Sequence, residues 1–162
     1  MKNEFISEIC KNMFASIEFL SKVIESCPEE FWEKENEGKI SISKRVLHIL
    51  ESLDYRVAAD ISYFYAKYNK GKRPEIQDEE IKGFKKQKTL EYFNEVENKI
   101  KRYLDEITEE ELLKENINTK GVTNLAVIMS QLRHINLNLG YCNEVFTENN
   151  IKSIEWISTF KY

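Results

Sequence analysis

Residues 129–146, MSQLRHINLNLGYCNEVF, place polar side chains on the side of a helix that should be buried. At about 100° per residue, the usual helical turn, the apolar side of this segment also carries four residues with polar or sulfur atoms: Gln131, His134, Asn138 and Cys142. Burying a polar group without a partner costs roughly 1–3 kcal/mol, so these side chains must bind one another or a ligand. Imidazole nitrogens and amide oxygens can also coordinate a metal ion.

The sequence contains two histidines, His48 and His134, which are predicted to lie on different long helices. Helical bundles commonly build metal sites from inward side chains on facing helices. Buried histidines satisfied by hydrogen bonds are more common than metal ligands, so spacing alone leaves both interpretations open. On its own helix, His48 shares a side with Ser52 and Tyr55, away from the main apolar stripe. His48 is therefore expected either at the mouth of a pocket or simply half exposed.

Four long segments show the three-to-four spacing of apolar residues that is typical of amphipathic helices. Ser41 or Ser43 is expected to cap the second of these helices, and Thr89 the third, because short hydroxyl side chains bond the free N–H groups of a first turn. The predicted helices cover approximately residues 4–25, 42–68, 90–107 and 122–147.

Two short accessory helices are predicted between the long ones. Pro28 opens a single turn whose Phe31 and Trp32 close one end of the core, and Thr108 with Glu111 forms a capping box for the other. The predicted fold class is therefore all-α, an antiparallel four-helix bundle with short accessory helices. A chain of this length is the size of one domain, which spans residues 1–162.

The segments between the predicted helices differ in character. Residues 69–89 combine Gly, Pro and dense charge without an apolar period, which predicts a long connection. Residues 118–121 are expected to break the chain before the fourth helix. The last segment, residues 149–162, is too apolar to remain in solvent and is expected to pack back on the bundle.

Charge and composition argue against several classes of partner. The net charge is −4, with lysines and glutamates interleaved, whereas nucleic-acid binding depends on a concentrated basic face. No apolar run approaches the roughly 20 residues of a membrane span. Three cysteines without CxxC spacing favour a reducing compartment, so we expect a cytoplasmic protein. A modest basic cluster is interpreted as a solvated loop: Lys67, Lys70, Lys72 and Arg73.

Two stretches resemble the motifs of the DinB-like (YfiT-type) superfamily. CPEEFWEKENEGKISISKRVLHILESLDYR, residues 27–56, is similar to the pattern in which a histidine lies early in the second helix. LAVIMSQLRHINLNLGYCN, residues 125–143, is similar to the fourth-helix pattern "l.Hi..H.G..n". Each motif is short and degenerate, but their order and separation agree, and the resemblance extends from the first helix to about Phe146.

The resemblance implies a divalent metal ion, most often zinc or nickel, held by three histidines. Its first ligand corresponds to His48 and its second to His134, but the third falls on Asn138. A neutral amide oxygen is a poor donor to such ions, so the site is expected to be weakened or lost. Cys142 lies two turns beyond His134, about 12 Å along the axis, which is too far to replace the missing ligand. Asn138 could instead bond to His134 or Gln131 without any ion.

Two interpretations follow from this resemblance. In the first, the protein is a metal-dependent enzyme of the thiol-transferase type, in which the metal binds a small thiol as the thiolate. In the second, it is a non-catalytic bundle that binds a small molecule or a protein partner in stress or signalling. Either way a pocket is expected at the same place, and a homodimer is consistent with the superfamily. The sequence assigns no catalytic nucleophile or base. The residues expected to line the pocket are Gln131, Ser52, Tyr55 and Cys142.

Overall fold

The computed structural model describes residues 4–35, 39–57 and 84–158. Most of these residues are helical, which confirms the all-α class. The described residues also form one small antiparallel sheet of two strands, which the sequence did not predict. The elements are α1 (Glu4–Ser26), α2 (Glu29–Trp32), α3 (Ile42–Arg56), α4 (Lys86–Glu106), α5 (Glu109–Leu113), β1 (Glu115–Asn116), β2 (Thr119–Thr123) and α6 (Asn124–Glu148).

The four long helices, α1, α3, α4 and α6, enclose the apolar core. Helix α1 packs against α4 and α6, and α3 packs against the same two helices. The apolar stripes predicted from the sequence face inward, and each long helix contributes side chains that are almost completely buried, among them Leu20, Ile49, Ile100 and Leu139. Burial of these stripes is the main favourable contribution to folding.

Two predicted helix caps, and a third that the sequence analysis did not name, have hydrogen bonds to the first turn of their helices. The hydroxyl of Ser41 accepts from the N–H of Lys44 at 3.3 Å at the start of α3. Thr108 accepts from the N–H of Glu111 at 3.2 Å, and Thr123 caps α6 in the same way. The capping box is only half formed, because the carboxylate of Glu111 bonds to Lys114 instead of the backbone. The caps therefore fix where α3, α5 and α6 begin.

The predicted cap of the third long helix is wrong. Helix α4 begins at Lys86, so Thr89 lies inside its first turn, where the hydroxyl donates to the backbone oxygen of Lys85 at 3.2 Å. The helix begins before its first apolar residue, Leu90, because residues 86–88 all have good or neutral helix propensity. The buried indole of Trp32 donates to the carbonyl of Phe84 at 2.8 Å. This contact holds the start of α4 against α2.

Helix α5 leads into the hairpin of β1 and β2, which occupies the predicted break in the chain. Glu115 pairs with Thr123 and Asn116 with Thr119, with an irregularity between them. Gly121 has a φ of 74°, a conformation that other residues rarely adopt. The short hairpin therefore turns the chain into α6.

Beyond α6 the chain folds back on the long helices, as predicted. Ile151, Ile154 and Ile157 are partly buried against the core. The side chain of Asn143 bonds to both the N–H and the carbonyl of Ile154, at 2.9 and 2.8 Å. The end of the predicted second helix, the connection up to residue 83 and the basic cluster lie outside the described residues. No helix within the described ranges is long and apolar enough to cross a membrane.

Candidate functional site

The structure brings His48 of α3 and His134 of α6 together. Their Nε2 atoms are 2.8 Å apart, within hydrogen-bond distance, and the ring centroids are separated by 4.8 Å with the planes at 67°. One ring must donate and the other accept, because two Nε2–H groups would repel each other. Both side chains are half-buried. The two imidazoles that the resemblance pairs therefore share one location at the α3–α6 contact.

Asn138 lies one turn beyond His134 but does not bond to either ring. Its Oδ1 accepts from Nη1 of Arg45 at 3.0 Å, and its Nδ2 donates to the backbone oxygen of His134 at 2.7 Å. The side chain is buried. Both ends of the amide are thus engaged, and the oxygen that would act as a third ligand faces a cation.

Arg45 contacts Asn138 in this site, although no role was predicted for it from the sequence. It lies on α3 three residues before His48, and its guanidinium carbon is 3.9 Å from the centre of the Tyr141 ring. Stacking on an aromatic face and bonding to an amide are both typical of arginine, which stays charged at all ordinary pH values. The signal available in the sequence was its position on the same side of α3 as Ser52.

The predicted pocket residues Ser52 and Gln131 bond to each other. The hydroxyl of Ser52 donates to Oε1 of Gln131 at 2.9 Å, one turn along both helices from the histidine pair. Gln131 is 2% exposed, so this bond satisfies a polar group that would otherwise be costly to bury. A second polar contact between α3 and α6 therefore adjoins the first.

Tyr55 contacts the segment between the two strands, and Cys142 lies in the core. The backbone of Tyr55 accepts from the side chain of Asn118, and the guanidinium of Arg56 lies 6.0 Å from its ring. Cys142 is fully buried, and burial raises the pKa of its thiol to about 12 despite the nearby charge of Arg45. Its sulfur is thus protonated at neutral pH and belongs to the core.

Glu51 adds a buried acid to the same helix. It lies three residues after His48 and is 2% exposed, although carboxylates are almost never buried without compensation. The sequence analysis did not single out Glu51, because an acidic residue in a charged helix is ordinarily expected to be exposed to solvent. Helix α3 thus carries a guanidinium, an imidazole and a buried acid within two turns.

The donor set does not fit a metal centre of the three-histidine type. Zinc sites that act in catalysis usually have three protein ligands and an open position. The described part of the chain contains no group of three His, Cys, Asp or Glu side chains that could hold an ion. Two imidazoles converge, but the third position is an amide already bonded to Arg45.

The chain matches no family model, no curated protein and no solved structure. The resemblance to the DinB-like superfamily therefore stays a prediction that depends on the two motifs.

Proposed function

We propose that this chain is a DinB-like antiparallel four-helix bundle whose histidine pair is a disabled metal site, and that it binds a small molecule without metal-dependent thiol transfer. The packing of each long helix against two others supports the bundle. The meeting of His48 with His134 supports the relationship to a histidine metal site.

The observation that carries this proposal is the hydrogen bond from Arg45 to Asn138. A divalent cation bound to Oδ1 of Asn138 would lie close to the guanidinium of Arg45, which already donates a charge-assisted bond to the same oxygen. Like charges a few Å apart repel strongly where the surroundings are partly buried. The two imidazoles meanwhile bond to each other through their Nε2 atoms. These contacts account for the Asn138 amide and for one nitrogen of each ring without an ion.

Small-molecule binding is supported by a cavity elsewhere in the structure. A space of about 850 Å³ lies between α1, α6 and the chain after α6. Ligand pockets in proteins are commonly about 300–1,000 Å³ and mostly apolar. A binding protein of this fold thus has room for its ligand within the described residues.

A metal-dependent enzyme is the second candidate, and the convergence of the two Nε2 atoms favours it. Zinc lies about 2.0–2.1 Å from imidazole nitrogens, so a small separation of the rings would admit an ion between them. A bound zinc or nickel ion would supply a Lewis acid that lowers the pKa of a thiol. In that case His48 and His134 would hold the ion, and Asn138 would orient a ligand or water.

Metal content separates the two candidates. We expect protein purified without an affinity tag to contain no stoichiometric zinc or nickel by elemental analysis. The variant Asn138→His should bind zinc at least about tenfold more tightly in calorimetric titrations, a gain of about 1.4 kcal/mol. Asn136→His is the matched control, since Asn136 bonds to Ser16 of α1 and not to α3; it should gain nothing.

Stoichiometric metal in the natural protein that is lost in His134→Ala would overturn the proposal in favour of the enzyme. Equal zinc affinity of Asn138→His and the natural protein would contradict the view that one substitution disabled the site.

A further inference from the structure

The cavity between α1 and α6 has a predominantly apolar wall. Side chains from three parts of the chain line it: Ile9 and Phe19 of α1, Met129 and Leu132 of α6, and Trp156 and Ile157 of the chain after α6. Two of them, Met129 and Trp156, are large hydrophobic residues that are 47% and 68% exposed. Clusters of exposed apolar residues around a cavity usually mark a binding site.

Arg133 is the charged group of this wall that has no partner. Its guanidinium is exposed and forms no hydrogen bond or ion pair with the described residues. The other charged residue of the wall, Glu8, is paired with Lys11 at 2.5 Å. The cavity therefore presents one unpaired positive charge beside an apolar surface.

The neutral polar groups of the wall are already bonded within the protein. Asn136 donates to the hydroxyl of Ser16 at 3.3 Å and to the backbone oxygen of Leu132, and Asn12 donates to the backbone oxygen of Glu8. Because the amide N–H groups of Asn12 and Asn136 are bonded within the protein, they favour no ligand with many polar groups. Their amide oxygens can only accept hydrogen bonds, so the charged group of this wall that can donate to an anion is the guanidinium of Arg133.

We infer that this cavity binds an apolar monocarboxylate, a molecule with a hydrocarbon body and a single carboxylate. The hydrocarbon body lies among Phe19, Leu132 and Trp156, and the carboxylate bonds to the guanidinium of Arg133. A planar guanidinium is well suited to such a carboxylate because it can form two parallel hydrogen bonds. The inference rests on the proposed function, since it names the class of small molecule that the protein binds.

The site is separate from the histidine pair on the same helix. His134 contacts α3, whereas Asn136 contacts Ser16 of α1, and Arg133 lines the cavity on that side. Ligand binding in the cavity therefore does not require the histidines. It can be tested independently of metal content.

Calorimetric titration of the full chain with octanoate, decanoate and dodecanoate tests the inference. Burial of each added methylene contributes about 0.8 kcal/mol to the binding free energy. The affinity should therefore rise about fourfold per methylene. The variant Arg133→Met keeps an apolar stem and removes the charge. It should weaken decanoate binding at least about tenfold and leave the binding of decanol unchanged.

Arg102→Met is the matched control, because Arg102 is an exposed arginine of α4 outside this cavity. It should bind decanoate like the natural protein. Failure of all three carboxylates to bind, or equal weakening of decanoate and decanol by Arg133→Met, would overturn the inference. A ligand-free dimer in sedimentation that Met129→Asp converts to monomer would also overturn it, because a second copy would then cover the cavity. Stoichiometric zinc would contradict the proposed function alone.

Discussion

Asp54 is a buried carboxylate that ties α3 to α4. The hydroxyl of Tyr92 donates to its Oδ2 at 3.0 Å, and Nζ of Lys99 bonds to its Oδ1 and, at 3.1 Å, to its backbone oxygen. Asp54 is 3% exposed, whereas the Lys99 side chain keeps some contact with water. The three groups therefore form one polar cluster inside an otherwise apolar contact.

The variant Asp54→Asn should lower the free energy of unfolding by about 2 kcal/mol. The amide keeps the shape of the side chain but removes the charge that both partners bind. Breaking a fully buried ion pair costs about 3–5 kcal/mol, and partial hydration of Lys99 reduces this loss. Urea unfolding followed by circular dichroism measures the change.

Glu18→Gln is the control for this measurement. Glu18 pairs with Lys22 on the surface of α1, where both side chains are about half exposed. Exposed pairs of this kind contribute about 0.5 kcal/mol or less. If the two variants lose equal stability, Asp54 does not stabilise the α3–α4 contact as argued.

The histidine pair could be predicted only because of the resemblance. A helical projection shows which side of one helix a residue occupies, but not how two helices rotate against each other. The projection placed Asn138 inside and left His134 or Gln131 as its partner. Asn138 bonds to the backbone of His134 and to Arg45, while Gln131 bonds to Ser52. Arg45 was missed although the projection places it on the same side of α3 as Ser52, because an arginine is ordinarily expected to extend into solvent.

The hairpin is the element that holds the end of α3 in place. The buried side chain of Asn116 donates to the backbone oxygen of Arg56 at 3.2 Å and to Oδ1 of Asn124, and it accepts from the N–H of Asn118 at 3.0 Å. The guanidinium of Arg56 in turn donates to Thr119 at 3.1 Å. The last carbonyls of a helix lack hydrogen-bond partners within the helix. The hairpin supplies a donor for the last carbonyl of α3.

Replacing Asn116 with Ala should lower the free energy of unfolding by about 3 kcal/mol. The substitution removes three hydrogen bonds, each worth about 1 kcal/mol net, and leaves buried backbone groups unsatisfied. Relative to the natural protein, this variant should exchange amide hydrogens faster in the last turn of α3, whereas exchange in α4 should change less. In contrast, Asn94→Ala, at an exposed position of α4, should leave stability unchanged or slightly higher, because Ala favours helix. Equal exchange rates in α3 of both variants would refute the role of the hairpin.

Helix ends were predicted where a side chain defines them, and missed where tertiary contacts do. Ser41 and Thr108 cap α3 and α5 as expected because the capping bond is local. Trp32 holds the backbone of Phe84, 52 positions away in the chain and just before α4, so the local pattern could not show where this helix begins. The strands of two and five residues are too short for apolar alternation to be read.

At the scale of the whole molecule, the apolar stripes were enough to predict one core shared by the long helices. That core also contains all three cysteines, Cys10, Cys27 and Cys142, as buried free thiols. Burial raises the pKa of Cys27 to about 11 and that of Cys142 to about 12, from the ordinary thiol value of 9.0. The sequence indicated reduced cysteines and placed Cys142 on a buried side of its helix, but it did not place Cys10 or Cys27, because a small thiol fits equally well in a core or at a surface.

Because burial raises the pKa of these thiols, we expect the protein to lose stability in alkaline solution. A thiol whose pKa is raised by folding favours the folded state fully below the unfolded value near 9.0 and less as pH rises towards about 12. In that interval each thiol removes about 1.4 kcal/mol of unfolding free energy per pH unit. Between pH 8 and pH 10, the free energy of unfolding of Cys142→Ala should therefore fall by about 1 kcal/mol less than that of the natural protein. The cavity left by the substitution lowers the stability of the variant at both pH values. Urea unfolding at the two pH values measures this difference, to which the lysines and tyrosines contribute equally in both proteins. Parallel losses in the two proteins would mean that the Cys142 thiol ionises as readily in the folded chain as in the unfolded one.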